Sequence, residues 1–355
     1  MGDRLRVVVV DDSAAVRKIL KWGLELEGEL EGEIEVVGMA PDARHAMDLI
    51  ARLEPDVVTL DVDMPGMNGI ELLRTLLPVH PVPVVMLSAL TQAGSRLAFE
   101  AIAAGAVDFV PKPTSEIAES LPAMLAELRA RIRGAARVNM SAWRQARRGH
   151  DAVAEAERAA LRVPARARVR IVAIGASTGG PEALLSVLPR LPADTPGVVV
   201  VQHMPAGYTT QFAESLDERC AMRVKEAAEG DRVESGRVLL APGDRHLRVR
   251  RGALGLEVTV DHDERVTGHR PSVDALFASV AAEAGAKAVG AILTGMGRDG
   301  AKGLLAMRRA GARTLAQDHD SSIVFGMPKV AIELGAVERV VPLDRVAVSI
   351  VEALG

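Results

Sequence analysis

Three residues suited to acyl-transfer chemistry, Ser177, His203 and Asp299, each follow a short apolar run. Ser177 lies in Gly175-Ala-Ser-Thr-Gly179, directly after Ile171-Val-Ala-Ile174 and before the helical pattern Pro181-Glu-Ala-Leu-Leu-Ser-Val-Leu188. This is the strand–turn–helix setting of a G-x-S-x-G nucleophile elbow, where small neighbours permit a bend tight enough to lift the serine Oγ above a sheet. Serine alone is a weak nucleophile and needs a base and an orienting acid. His203, in Gln202-His-Met-Pro205, follows Val198-Val-Val-Val201, and Asp299, in Gly295-Met-Gly-Arg-Asp-Gly300, follows Ala291-Ile-Leu-Thr294. A single histidine after a strand is ordinarily a turn residue, and a single aspartate among glycines more so. Three such residues at three strand ends point instead to a serine hydrolase site, because functional groups of doubly wound sheets collect outside the carboxyl ends of parallel strands. The chain order Ser, His, Asp is not that of the α/β-hydrolases, but triads recur in several orders.

A second constellation occupies the N-terminal part. Leu5-Arg-Val-Val-Val-Val10 ends in Asp11-Asp12, Val57-Val-Thr-Leu60 in Asp61, Val84-Val-Met-Leu87 in Ser88, and Val107-Asp-Phe-Val110 in Pro111-Lys112-Pro113. Carboxylates gathered at adjacent strand ends repel one another unless a cation sits among them. Hard oxygen ligands suit Mg²⁺, which keeps several waters and takes one or two carboxylates. Asp11, Asp12 and Asp61 are the candidate metal group, with Asp12 and Asp61 as direct ligands and Asp11 acting through water. Lys112 and the Ser88 hydroxyl at the same rim could hold phosphoryl oxygens. Asp61, at the end of the third strand and facing the acid pair and Lys112, is the candidate phosphoacceptor.

These residues require two sets of strands that alternate with helices. The expected fold is α/β, two doubly wound parallel-sheet domains: an N-terminal flavodoxin-like one over residues 1–133 and a C-terminal serine-hydrolase one over residues 168–355, joined by a linker, 134–167. A chain of 355 residues is long enough for two such cores. With 48% hydrophobic residues but only 2% aromatics, those cores must be built of Val, Leu, Ile and Ala. Scarce aromatics argue against stacking platforms for single-stranded nucleic acid. The formal charge of −4 suggests neither a nucleic-acid nor a membrane surface.

The motifs also carry a resemblance. Residues 1 to about 130 resemble a response-regulator receiver domain. Those from about 168 onward resemble the catalytic domain of the CheB family of chemotaxis protein-glutamate methylesterases. The matching strings are Gly175-Ala-Ser-Thr-Gly-Gly-Pro181, Gln202-His-Met-Pro205, Leu240-Ala-Pro-Gly243, His269-Arg-Pro-Ser-Val-Asp274, Leu293-Thr-Gly-Met-Gly-Arg-Asp-Gly300 and Gly326-Met-Pro328. The resemblance implies phosphorylation-activated hydrolysis of glutamate γ-methyl esters, with deamidation of glutamine as a second activity by the same acyl-enzyme logic. It places the oxyanion donors at the backbone N–H groups of Thr178 and Met296, and a phosphorylation relay at Ser88 and Phe109. The implied partners are the cytoplasmic helices of methylated chemoreceptors and a histidine kinase of the chemotaxis type. The segment Glu25-Leu-Glu-Gly-Glu-Leu-Glu-Gly-Glu-Ile-Glu35 is longer and more acidic than the resemblance leads one to expect.

The remaining candidates are read as structural. Ser272 precedes an apolar helical run and fits an N-cap, with Asp274 at the positive helix end. His246, His262 and His269 lack the strand-end setting of His203 and are taken as structural or rim residues. No paired His/Cys spacing for zinc is present. The single cysteine, Cys220, excludes an internal disulfide, fits a reducing compartment, and is expected to be a buried small residue. The linker's Asp151–Leu161 stretch reads as a solvated helix. With no signal-like or spanning apolar stretch, a soluble, cytoplasmic protein without membrane insertion is expected. The competing reading is a hydrolase-inactive signalling adaptor whose C-terminal domain binds a nucleotide at Gly175-Ala-Ser-Thr-Gly-Gly180. That segment lacks the G-x-G-x-x-G spacing.

Overall fold

The computed structural model describes residues 4–25, 33–89, 92–112, 117–140, 143, 161–164 and 169–355. It divides into two compact units, Met1–Met140 and Ser141–Gly355. Most of the acidic Glu25–Glu35 segment and the Asp151–Leu161 stretch lie outside the described residues.

The first unit holds five strands, β1 (Leu5–Val10), β2 (Ile34–Ala40), β3 (Val57–Asp61), β4 (Val84–Ala89) and β5 (Asp108–Lys112). They form one parallel sheet in the order β2-β1-β3-β4-β5. Helices α1 (Ala14–Glu25), α2 (Ala43–Leu53), α3 (Gly69–Val79), α4 (Gln92–Ala104) and α5 (Ile117–Ala135) alternate with them. Val7, Val8, Val9 and Val10 are all fully buried. A parallel strand covered on both faces reads as a continuous apolar run, which is why β1 carries no polar alternation. The sheet's switch in strand order lies between β1 and β3, so Asp11, Asp12 and Asp61 emerge beside one another.

In the second unit seven strands form a parallel sheet: β6 (Ile171–Ala176), β7 (Gly197–Gln202), β8 (Arg223–Glu226), β9 (Arg237–Leu240), β12 (Ala288–Ile292), β13 (Arg313–Gln317) and β14 (Arg339–Val341). Their order is β14-β13-β12-β6-β7-β9-β8. An antiparallel hairpin, β10 (His246–Gly252) with β11 (Gly255–Asp261), stands apart from it, an addition that the expectation of a parallel sheet did not include. The helices are α6 (Gly180–Val187), α7 (Tyr208–Asp217), α8 (Val273–Ala284), α9 (Ala301–Arg309), α10 (Met327–Glu333) and α11 (Leu343–Glu352). Leu276, Phe277 and Val280 of α8 join Ile171, Ala173 and Ile292 of the sheet in one buried cluster. The three central strands β12, β6 and β7 are those that lead to Asp299, Ser177 and His203.

Two local expectations are corrected. The strand before Asp299 runs from Ala288 to Ile292 rather than from Ala291 to Thr294. Thr294 leaves the ladder because its N–H donates to the Gln317 side chain (2.8 Å) and its hydroxyl to the Thr178 carbonyl (3.0 Å). Cys220 is half-buried rather than buried. It lies just past α7, where its N–H closes the last turn on the Leu216 carbonyl. Among the described residues, no helix is long and apolar enough to cross a membrane.

Candidate active site

The elbow is built by β6 and α6. The Gly180 N–H donates to the Ser177 carbonyl at 2.7 Å, and Gly179 takes φ +75°, a left-handed turn suited to glycine. The Ser177 N–H is held by the Thr294 carbonyl at 3.0 Å. Ser177 is therefore fixed from its own strand and from β12's trailing loop.

His203 bridges the other two groups. Its Nδ1 lies 3.1 Å from Ser177 Oγ, and its Nε2 lies 2.7 Å from Asp299 Oδ2. The ionised carboxylate can only accept, so Nε2 carries the proton and Nδ1 turns its lone pair to the serine hydroxyl. All three side chains are buried. Asp299 also accepts from the backbone N–H of Val273 (2.7 Å) and Asp274 (3.1 Å), at the N-terminus of α8. Burial pushes the Asp299 carboxyl up, but His203 and these amides outweigh it and hold the group below its ordinary value. The acid of the constellation is thus kept as an anion.

Gly295 packs so closely on Ser177 that an added β-carbon would lie 2.8 Å from the serine's own. Met296 is the next residue of that loop. Among the described residues no acceptor is paired with the backbone N–H of Met296 or of Thr178. A developing oxyanion requires backbone donors of this kind beside the nucleophilic oxygen.

In the first unit, the carboxylates of Asp11, Asp12 and Asp61 offer oxygens within 4.8 Å of one another. Lys112 Nζ reaches Asp11 at 2.9 Å and Asp61 at 2.8 Å. Three carboxylates and one ammonium leave a net −2, which a divalent cation would balance. The donor set, hard oxygens at this spacing, fits Mg²⁺. Burial is the main cause that raises the Asp61 carboxyl, and Asp11 adds to it, while Lys112 opposes both. Ser88 is fully buried at the end of β4, and Phe109 is buried in β5 opposite Met86.

The CheB methylesterase family model matches residues 172–350, and the response regulator receiver domain model matches residues 7–157. The chain belongs to the CheB methylesterase family. A relative from Syntrophotalea carbinolica, named protein-glutamate methylesterase/protein-glutamine glutaminase, is 51% identical over 100% of this chain and 99% of its own. A relative of the same name from Sulfurimonas denitrificans is 48% identical over 99% of this chain and 98% of its own. The crystal structure of the Thermotoga maritima CheB methylesterase catalytic domain is 38% identical over 52% of this chain and 98% of that one, with a TM-score of 0.51. These full-length matches to enzymes do not favour the nucleotide-binding adaptor.

Three further residues of this CheB family member reach the site, and the sequence reading did not place them there. Gln202 Nε2 donates to the carbonyls of Ser177 (2.9 Å) and His203 (3.2 Å), tying the elbow to the base. His269, read as a structural or rim residue, stacks its ring on that of His203 with centroids 3.9 Å apart and planes 8° from parallel. Ser272 caps α8 as expected, accepting from the Ala275 N–H, yet its hydroxyl also donates to Asp299 Oδ1 at 2.8 Å. His246 and His262 bond elsewhere, to the Glu264 carbonyl and to Asp244. Only Gln202, adjoining His203 at a strand's end, carried any positional signal. His269 lies far along the chain from the His203 ring it meets, and Ser272 shows only an ordinary cap motif.

Proposed function

We propose that this chain hydrolyses glutamate γ-methyl esters on chemoreceptors, releasing methanol, and deamidates receptor glutamines, under control of phosphorylation at Asp61. The observation that carries the reading is the unbroken chain of hydrogen bonds from Ser177 through His203 to Asp299. Ser177 Oγ attacks the ester carbonyl while His203 Nδ1 takes its proton. The Thr178 and Met296 amides receive the oxyanion, and Asp299 stabilises the imidazolium through Nε2–H. Collapse of the tetrahedral intermediate passes the proton to departing methanol, or to ammonia from a glutamine. Water, activated by the same imidazole, then frees the acyl-enzyme as glutamate.

In the receiver, Asp12 and Asp61 would hold Mg²⁺, with Asp11 contributing through water. Bound there, Mg²⁺ offsets charge on the phosphoryl group. Lys112 supplies a second positive charge, and the Ser88 hydroxyl and Phe109 ring relay the modification. The phosphodonor is a chemotaxis-type histidine kinase, and the enzyme works in the cytoplasm on receptor helices.

The test is methanol release from methylated receptor membranes, with and without a small-molecule phosphodonor. Release by the full chain, stimulated by the donor, is expected. Ser177→Ala should reduce it to background and His203→Ala nearly so, while Asp299→Asn leaves somewhat more. If Ser177→Ala kept more than about a tenth of the wild-type rate, the serine mechanism would fall, given the losses such residues usually cause.

A further inference from the structure

Ser272 occupies an unusual place between a helix and the acid of the triad. Its side chain is fully buried, with the Ala275 N–H donating to Oγ at 3.2 Å and Asp299 Oδ1 at 2.8 Å on the other side. The amide uses one of the hydroxyl's lone pairs. The carboxylate cannot donate, so the hydroxyl proton has a single destination, Oδ1. Among the described residues Asp299 then takes four bonds: Ser272 Oγ–H and the Asp274 N–H on Oδ1, and the Val273 N–H and His203 Nε2–H on Oδ2. Three of the four come from consecutive residues, 272 to 274, at the start of α8.

An N-cap alone needs only the oxygen of a serine. Here the proton of that serine is spent on a carboxylate 27 residues away in sequence. The bond fixes Oδ1, and with Oδ1 fixed the carboxylate cannot rotate Oδ2 away from the imidazole. It also places the positive end of α8 behind the anion that the imidazolium needs. We propose that Ser272 is a positioning residue of the hydrolase site, whose hydroxyl holds Asp299 in the orientation that orders His203. This rests on the reading of Ser177, His203 and Asp299 as the triad.

The test is a double-mutant cycle in the full chain: wild type, Ser272→Ala, Asp299→Asn and the double variant. It reads kcat and KM for methanol release, thermal unfolding, and the low-field imidazole N–H proton resonance of His203. Ser272→Ala is expected to lower kcat about tenfold, the loss of one hydrogen bond to a charged group, with KM nearly unchanged. In the Asp299→Asn background the same change should leave kcat unaltered, since the group it acts through is gone. The lost cap lowers thermal stability in both backgrounds. The His203 resonance should move or broaden in Ser272→Ala. Ser272→Gly separates the two roles, because glycine is tolerated as an N-cap at small cost but has no hydroxyl. It should show the same kcat loss with a smaller loss of stability. An unchanged kcat in either variant, or an equal loss in both backgrounds, would reduce Ser272 to a helix cap. Failure of the triad itself would show separately, as activity surviving Ser177→Ala.

Discussion

A β-carbon added to Gly180 would lie 1.9 Å from the side-chain oxygen of Gln202. The first residue of α6 is thus pressed against the amide that ties Ser177 to His203. That oxygen is buried and has no hydrogen-bond partner among the described residues, while the amide nitrogen is committed to two carbonyls. Gln202 cannot move aside without releasing the elbow or the base.

The sign of a Gly180→Ala substitution follows from two opposed effects. Alanine gains about 1 kcal/mol over glycine in a helix. Forcing a methyl into a packed site costs about 1–3 kcal/mol. The short distance puts the second effect ahead, so the catalytic unit should unfold at lower temperature and kcat should fall about tenfold or more, the usual consequence of misplacing a reacting group. Calorimetry and methanol release check both. A variant as stable and active as wild type would show that the helix start is not held against Gln202.

Asp299 gives the catalytic unit a pH signature. Its folded-state carboxyl lies below the ordinary value because the bonds from His203, Val273 and Asp274 outweigh burial. A depressed folded value contributes stability above the unfolded pKa, about 4, and loses it as pH falls through the folded value. Urea unfolding should therefore find wild type more stable than Asp299→Asn, by roughly 1–2 kcal/mol near neutrality. The difference should shrink as pH falls from about 4. A gap that stays constant down to acid unfolding would mean that Asp299 gains nothing from ionising.

How much of this was readable beforehand depended on whether a signal was local. Strand β1 is found at Leu5–Val10, the bounds its valine run indicates, because burial on both faces writes itself into consecutive residues. Ser177, His203 and Asp299 were legible as strand-end residues, and the sheet brings them together. Strand β12 was legible only in part: Ala288-Val-Gly-Ala carries few branched residues, while Leu293-Thr294 extends the apolar run into a loop. The cap at Ser272 is a local motif and is legible, whereas the direction of its proton is not. The stacking of His269 on His203 depends on how two distant turns pack, and nothing near residue 269 signals it.

Phosphorylation should be decided by one carboxylate among three. Asp61 ends β3 with its carboxylate shared by Lys112, and Asp11 shares the same ammonium. Asp61→Asn keeps the shape and removes the attacking oxygen, so acid-labile labelling by acetyl phosphate should vanish. Lys112→Ala should slow labelling, because the ammonium no longer offsets the phosphoryl charge. Undiminished labelling of Asp61→Asn would move the acceptor elsewhere.

The last prediction concerns why a receiver and an esterase share one chain. A phosphorylation module attached to an enzyme is useful as a switch only if it changes the enzyme's output, and restraint released by phosphorylation is the simplest such change. Moving a restrained population from mostly closed to mostly open takes several kcal/mol of differential stability. Charge-assisted hydrogen bonds from Lys112 and Ser88 to a phosphoryl group at Asp61 are of the size required. Removing residues 1–140 should then raise methanol release above that of the unphosphorylated full chain. It should also abolish the response to acetyl phosphate. If the receiver serves only to bring the enzyme to its kinase and receptors, the outcome differs: the shortened enzyme would be no faster on a soluble methyl-ester peptide. Comparing that peptide with receptor membranes separates relief of restraint from loss of docking, because only docking depends on the membrane-bound partner.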